Sequence, residues 1–149
     1  MKPILRSIQT KLIETLKASE LKNAMTIVAS DAFSVDELLA LKVAQTQPFL
    51  LFVSLPFPLQ TLGVTAPCWG TLSLNCTLAQ SLRYDEAATF IDWAERISFL
   101  VMQKPLVVDN LWSGRFVLTE KEPWTRLDWT NGTALQLHFV TSDFNVTNL

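Results

Sequence analysis

The stretch of residues 31–53 constrains the fold of this chain most, because a helix pattern there ends at a proline and an apolar segment follows directly. Ser34 can cap a helix start, and Glu37 three positions later completes a capping box, in which two backbone donors are satisfied. Pro48 disfavours helical geometry in the residue before it, so we expect the helix to end there. Residues 49–55 are apolar nearly throughout, as in a strand covered on both faces. The stretch predicts a helix that leads directly into a buried strand.

Two further segments carry the periodicity of amphipathic helices. Apolar residues recur at helical spacing over residues 4–18, with lysine and glutamate towards the other side. Residues 85–103 form the clearest helix pattern, with a broad apolar stripe that includes Phe90 and Ile97. Each stripe needs a sheet or another helix to cover it, so both helices are expected to pack on a common core.

Strand patterns fill most of the remaining chain. Apolar and polar residues alternate over residues 68–79, which is a strong strand pattern. Shorter strands are predicted at residues 25–29 and 124–129, whereas the prolines within residues 56–67 predict a loop. The Asn-Gly pair at 131–132 fits a type I′ hairpin turn between the last strands.

The order of these elements predicts the fold class. Helices and strands are not in strict alternation, and no linker, repeat or low-complexity segment interrupts residues 1–149. We therefore expect one α+β domain, in which helices pack on one face of a mostly antiparallel sheet. The polar tail after Phe144 is expected to fray.

The composition is unusually apolar for a small domain. Hydrophobic residues make up 49% of the 149 residues and the mean hydropathy is +0.25. Charged residues make up 17%, against about 25% in an average soluble domain. The longest apolar run, residues 48–58, is much shorter than the roughly 20 residues of a spanning helix. We therefore expect no membrane partner, and we expect the excess apolar surface to be covered by other protein, first of all by further copies of this chain.

Charge and glycine usage bear on two other classes of function. The net charge is −2 and the isoelectric point is about 5.3, whereas nucleic-acid binders usually carry a basic patch or stripe. The four glycines are not clustered, so no phosphate-binding loop is present. No nucleic-acid partner and no cofactor are expected.

Few residues have the chemistry of a catalytic or metal site. His138 is the only histidine, and with Cys68 or Cys76 and with Asp143 it could in principle serve a cysteine nucleophile. No local signature surrounds either cysteine, and the set lacks the ligand spacing of a zinc site. A strand histidine near packed thiols is the simpler interpretation. We expect no catalytic residues, no metal and no enzymatic activity.

Large aromatic side chains are the better candidates for a functional surface. Phe99 lies roughly 180° from Phe90 around the predicted helix, among polar residues. Such aromatics are enriched at protein interfaces, although they also pack cores, stack on bases and line ligand pockets. The alternative function is thus a small-molecule-binding domain or a Cys/His-dependent enzyme with a pocket of tryptophans. The candidate protein interface comprises Phe99, Trp112, Trp124, Trp129 and Phe57.

The order and spacing of several segments give the chain a family resemblance. The segments are Asp31-Ala32-Phe33-Ser34-Val35-Asp36-Glu37-Leu38 followed by Pro48-Phe49-Leu50-Leu51-Phe52-Val53, then Arg83-Tyr84-Asp85-Glu86-Ala87, and a closing strand after Asp128-Trp129-Thr130-Asn131-Gly132. With them the chain resembles the small tail proteins of Mu-like prophages, which are akin to the tail terminators and tail-completion proteins of long-tailed phages.

This resemblance implies a structural role in virion assembly. It implies a homo-oligomeric ring, usually of six subunits, which caps the tail tube and meets the head connector. The protein would be cytoplasmic during assembly and then part of the virion tail, and no catalytic residues are carried over. One departure is the low charge, because terminators often use marked charge to dock on the tube.

Overall fold

The computed structural model describes residues 4–30, 49–61, 69–81, 87–108, 112–129 and 132–146. Two α-helices lie in these ranges, α1 (Ile4–Lys17) and α2 (Ala87–Gln103), and a short 3-10 helix (Glu20–Asn23) follows α1. Eight strands form one mixed sheet, and they are β1 (Met25–Ser30), β2 (Phe49–Ser54), β3 (Phe57–Thr61), β4 (Trp69–Ser81), β5 (Leu106–Val108), β6 (Trp112–Leu118), β7 (Trp124–Trp129) and β8 (Gly132–Val146).

The two long strands β4 and β8 pair antiparallel at the centre of the sheet. The outer edge of β4 is divided between β2 and β3, and the outer edge of β8 is divided between β7 and β6. Both edges change partner at the same level, since Asn75 of β4 lies directly opposite His138 of β8. Among the described strands only β1 and β2 pair in parallel, so the sheet is mostly antiparallel.

Both helices pack on one face of the sheet, which forms the main core. The buried stripe of α1 includes Ile8 and Leu12, and that of α2 includes Ala94 and Ile97. The sheet curls, so α1 contacts both of its end strands, β1 and β5. Burial of these stripes stabilises the arrangement by about 25 cal/mol for each Å² of apolar area that is removed from water, and this is the main stabilising term.

One polar side chain joins α1 to the sheet inside this core. Gln9 is 1% exposed, and its Nε2 atom donates to the backbone oxygens of Ser30 at 3.3 Å and Val53 at 3.0 Å. These carbonyls lie at the ends of the parallel strands β1 and β2. Arg6 donates in turn to Gln9 Oε1 at 3.1 Å. Gln9 therefore satisfies two backbone acceptors that the packing of α1 removes from water.

The opposite face of the sheet holds a second, smaller apolar cluster. Leu50 and Phe52 of β2 are each 2% exposed, and they lie beside Ala79 and Ala134. Alternate residues of β2 thus serve the two faces, and Phe49, Leu51 and Val53 face the helices. This confirms the prediction that β2 is covered on both faces.

The predicted fold class is confirmed, as are the two helices and the strand over residues 69–81. The capped helix predicted before Pro48 falls on residues 31–48, which lie outside the described residues. The prediction of a loop through Pro67 was wrong for residues 57–61, which form the edge strand β3. An edge strand tolerates proline because one row of its backbone groups needs no ladder partner, and Pro58 indeed pairs there with Leu72. The prediction that the chain frays after Phe144 was wrong for residues 145–146, because β8 continues to Val146 through pairing with β6.

Candidate interaction surface

The outer side of α2 exposes large apolar side chains. Phe99 is 52% exposed and Ile91 is 47% exposed. The buried stripe of α2 contains Phe90 and Ile97, so Phe99 faces away from the core, as the helical spacing predicted. An exposed aromatic side chain on a structured helix is the kind of feature that interfaces use.

Phe99 borders an open groove between α2 and the strands β6 and β7, which we call the α2–β7 groove. Its volume is about 520 Å³. Apolar side chains form most of its surface, and charged ones stand at its α2 side. The lining residues are Asp92, Glu95, Arg96, Ser98, Phe99, Met102, Leu118 and Trp124.

Hydrogen bonds fix the base of this groove. Trp124 donates from its Nε1 atom to Ser98 Oγ at 3.2 Å, and Ser98 donates to the Ala94 carbonyl one turn earlier in α2 at 2.8 Å. The Leu118 backbone N–H donates to Met102 Sδ at 3.4 Å. The strands β6 and β7 are thus tied to α2 at two points, and the groove is pre-formed.

Arg96 connects the groove to the α1 side of the molecule. Its guanidinium carbon lies 5.5 Å from the centroid of the Phe99 ring, and its Nε atom lies 2.5 Å from Glu20 Oε1. Both members of the ion pair are largely exposed, so the pair contributes little to stability. The ion pair instead fixes the position of the Arg96 guanidinium group, which lies over one face of the Phe99 ring.

A second groove lies on the other flank of α2, between α1 and the start of β5, and we call it the α1–β5 groove. Its volume is about 650 Å³. Val107 of the end strand β5 is 56% exposed at this groove. Lys11 and Lys104 are exposed on its borders, and no acidic side chain occurs among its described lining residues.

The structure divides the five predicted interface residues. Phe99 and Trp124 come together in the α2–β7 groove, although 25 positions separate them in sequence. Phe57 is 54% exposed on the edge strand β3 and lines neither groove. The backbone of Trp129 ends β7, but its side chain lies outside the described part of the structure.

Trp112 was wrongly predicted as an interface residue. It is 2% exposed at the start of β6, and its ring centroid lies 6.2 Å from that of Phe116 in the core. The alternation of β6 places Trp112, Gly114 and Phe116 on the inner face. A pocket formed jointly by Trp112, Trp124 and Trp129 therefore does not exist as a surface feature, because the first of them belongs to the core.

The suggested cysteine–histidine pairing is also wrong for Cys76. Its side chain is fully buried on the helix-bearing face, and burial raises the pKa of the thiol to about 12. His138 lies opposite Asn75, the neighbour of Cys76 in β4, so the imidazole is on the other face of the sheet. Cys68 and the side chain of Asp143 fall outside the described residues.

His138 instead belongs to a polar row that sequence reasoning missed. The amide oxygen of Asn75 can only accept, so the His138 Nδ1–H donates to it at 2.9 Å. The other ring nitrogen, Nε2, then accepts from the Thr125 hydroxyl at 2.9 Å. Burial lowers the pKa of His138, and the negative charge of Glu122 opposes this effect. The polar face of β4 was visible in the alternation of residues 68–79, but its cross-strand partners were not.

The row extends to β2 through the backbone. The Asn75 N–H donates to Ser54 Oγ at 2.9 Å, where β2 has ended its pairing with β4. The His138 N–H donates to the Pro123 carbonyl at 2.9 Å, and its own carbonyl accepts from the Thr119 N–H at 3.0 Å. The order hydroxyl, imidazole and amide also occurs in activated nucleophiles, but here each contact satisfies a group at a break in strand pairing. We therefore interpret the row as a structural crosslink.

Within the described ranges, no three histidine, cysteine, aspartate or glutamate side chains cluster as metal ligands, and no helix has the length and apolar character to cross a membrane. No protein-family model matches the chain, and no curated protein matches it.

Proposed function

We propose that this chain is a structural assembly protein of a phage or prophage tail, similar to tail terminator and tail-completion proteins. It acts by forming a ring of identical subunits that docks on the end of the tail tube and meets the head connector. The observation that carries this proposal is the exposed Phe99 side chain beside Trp124 in a pre-formed apolar groove.

The energetics of the exposed residues support self-association. Phe99, Ile91 and Val107 are each about half exposed on the surface around α2. Covering a fully exposed aromatic or β-branched side chain of this size is worth about 1.5–3 kcal/mol, so covering the exposed half of each stabilises a complex by about 0.8–1.5 kcal/mol. Interfaces derive most of their affinity from a few such residues in pre-formed sites, so this surface suits a contact between subunits.

The partners follow from this role. The proposed contacts are with further copies of the chain, with the tail tube and with the head connector, and with neither nucleic acid nor membrane. The protein would assemble in the cytoplasm and remain in the virion tail. The low charge of the chain means that apolar contacts, more than long-range electrostatic attraction, would hold the ring on the tube.

The test combines solution mass with binding to a tail tube. The chain is examined by sedimentation velocity at micromolar concentration, and then mixed with polymerised tail-tube protein and imaged by electron microscopy. The expected result is an assembly larger than a dimer, with rings at tube ends. A strict monomer that does not bind the tube would contradict the proposal.

A small-molecule-binding function is the second candidate. The α2–β7 groove has a volume of about 520 Å³, which lies within the roughly 300–1,000 Å³ typical of ligand sites. Its surface is mainly apolar, and Trp124 contributes an indole ring. This candidate predicts a monomer whose thermal unfolding temperature rises with an apolar ligand, and replacement of Phe99 by serine would abolish that rise.

A further inference from the structure

We propose that neighbouring copies of the chain associate head to tail, with residues 104–107 of one copy inserted in the α2–β7 groove of the next. This inference rests on the proposed function, because it names the two surfaces that would build the ring. It commits the groove to one occupant, the exposed Val107 side chain and the adjacent Lys104 of a second copy.

The α2–β7 groove carries a negative border around an apolar interior. Asp92 and Glu95 are exposed at its α2 side, and neither forms an ion pair with a described residue. Arg96 is the only cation among the described lining residues, and it already contacts Glu20. The groove therefore suits an apolar side chain that is flanked by positive charge.

The α1–β5 groove presents the complementary combination. Val107 is 56% exposed on β5, which is an end strand of the described sheet. Lys104 lies three residues earlier and Lys11 faces it from α1, both with exposed side chains. Since its described lining contains no carboxylate, this surface is positive where the α2–β7 groove is negative.

The two surfaces have different positions on the molecule, as a ring requires. Leu100 lines one groove and Met102 lines the other. At about 100° per residue, the two positions lie roughly 160° apart around α2. A contact between two different surfaces is heterologous, and repetition of it produces a closed ring or a filament.

A contact of either groove with itself is disfavoured by charge. Pairing the α2–β7 groove with its own copy would bring Asp92 and Glu95 towards the same carboxylates. Pairing the α1–β5 groove with its own copy would bring Lys11 and Lys104 towards the same ammonium groups. Like charges juxtaposed across an interface reduce affinity, so the head-to-tail combination is the favourable one.

The experiment uses two charge reversals, Glu95→Lys and Lys104→Glu, in the full chain. Each variant alone places like charges at every subunit contact, and we expect its association constant to fall about tenfold or more. Mixed in equal amounts, the two variants can alternate around a ring, and every contact then joins opposite charges. We expect the mixture, and the double variant, to recover most of the wild-type assembly in sedimentation velocity.

Matched controls separate this contact from general charge effects. Glu14→Lys and Lys121→Glu make the same charge changes at exposed positions that line neither groove, and they should leave association unchanged. Circular dichroism should be the same for all variants, because surface substitutions of this kind change stability by only about 0.5 kcal/mol. Wild-type association should also weaken with added salt.

The possible outcomes distinguish this contact from the proposed function. If the wild type forms rings and neither reversal weakens them, or if the mixture does not recover, the head-to-tail contact is wrong while the assembly role stands. A wild-type mass that stops at the dimer also overturns the head-to-tail arrangement. A wild type that stays monomeric and ignores the tail tube overturns both proposals.

Discussion

Asn75 and His138 lie directly opposite each other in the pairing of β4 with β8, and their side chains are joined by a 2.9 Å hydrogen bond. The pair marks the level at which both central strands exchange one outer partner for another. Regular ladder bonds are interrupted there, and polar contacts to Ser54, Thr119 and Pro123 replace them. The side-chain bond therefore holds together the two central strands where their edges are weakest.

The Asn75–His138 bond should appear as a coupling energy between the two residues. His138→Phe leaves the Asn75 amide without its partner, and Asn75→Leu leaves the imidazole N–H without its acceptor. Each single variant is expected to lower the free energy of unfolding by about 1 kcal/mol. The double variant should lose clearly less than the sum, since neither member of the Asn75–His138 bond is then left facing an unpaired partner, and the loss of the Thr125 contact is common to both proteins that carry His138→Phe. Urea denaturation measures all four proteins, and strictly additive losses would show that the bond contributes nothing.

The stability of the fold should depend on pH through His138. The pKa of His138 is lowered in the folded chain, first by burial, and Glu122 partly offsets this. The unfolded chain therefore binds the proton more readily, so stability is full above about pH 6.5 and falls as the pH decreases towards the folded pKa. The free energy of unfolding, measured by urea denaturation, should therefore be lower at pH 5.5 than at pH 7.5. In His138→Phe the contribution of this residue to the difference should be absent.

Glu122 offers a direct check of the same titration. Because His138 is the only histidine, its ring resonance can be followed by NMR without assignment of others. Glu122→Gln removes the charge that raises the pKa, and the titration midpoint should move further below the ordinary value. Glu120→Gln is the matched control, since it removes the same charge two positions earlier in the chain, whereas the charge that raises the pKa of His138 is that of Glu122. An unchanged midpoint in Glu122→Gln would contradict the assigned cause.

Periodicity predicted those parts of the fold that one stripe or one alternating face determines. The helices α1 and α2 and the strand β4 were found because their buried residues repeat at 3.6 or 2 positions. The strands β3 and β5 were missed because each is short and begins beside a proline, and only the neighbouring strand makes them part of a sheet. Local pattern carries no information about such long-range pairing.

The candidate surface was predictable only in part, for a similar reason. Phe99 could be found because its position on a helix is fixed by residues nearby in sequence. Trp124 and Trp112 have equal chemistry and similar surroundings in sequence, yet one borders the groove and the other is in the core. The register of β6 and β7 against β8 makes this difference. Gln9 was likewise placed by packing, since its amide binds residues 21 and 44 positions away.

Gln9 should be essential for stability although it is polar. Gln9→Leu keeps a buried side chain of similar size but removes the amide donor of the Val53 carbonyl and one of the two donors of the Ser30 carbonyl, which also accepts from the Leu55 N–H. Buried acceptors without partners cost about 1–3 kcal/mol, so the variant should be destabilised by that amount in urea denaturation. Thr10→Leu, at the next and exposed position of α1, is the control and should change stability by less than about 0.5 kcal/mol. Equal effects of the two variants would remove Gln9 from this role.

Cys76 should react slowly with thiol reagents in the folded chain. It is fully buried, and its pKa of about 12 leaves almost no thiolate at pH 8. In a Cys68→Ala background, Ellman's reagent should therefore label the protein only as fast as it unfolds. Labelling in 8 M urea gives the rate for the exposed thiol, and a native rate close to it would contradict the burial of Cys76.

Phe99 should control self-association more strongly than an equally exposed aromatic elsewhere. Phe99→Ser removes the large apolar side chain at the border of the α2–β7 groove, whereas Phe57→Ser removes one of similar exposure on β3, outside both grooves. Phe99 is 52% exposed, so burial of the rest of its side chain in a subunit contact is worth about 0.8–1.5 kcal/mol, half the value for a fully exposed side chain. Its loss should therefore weaken association by about fourfold to tenfold in sedimentation equilibrium. Phe57→Ser should leave the mass of the assembly unchanged, because that side chain faces neither proposed contact.

Should both variants assemble like the wild type, Phe99 would be excluded from the interface. Should Phe57→Ser alone disrupt assembly, the contact would run through the edge strand β3 instead.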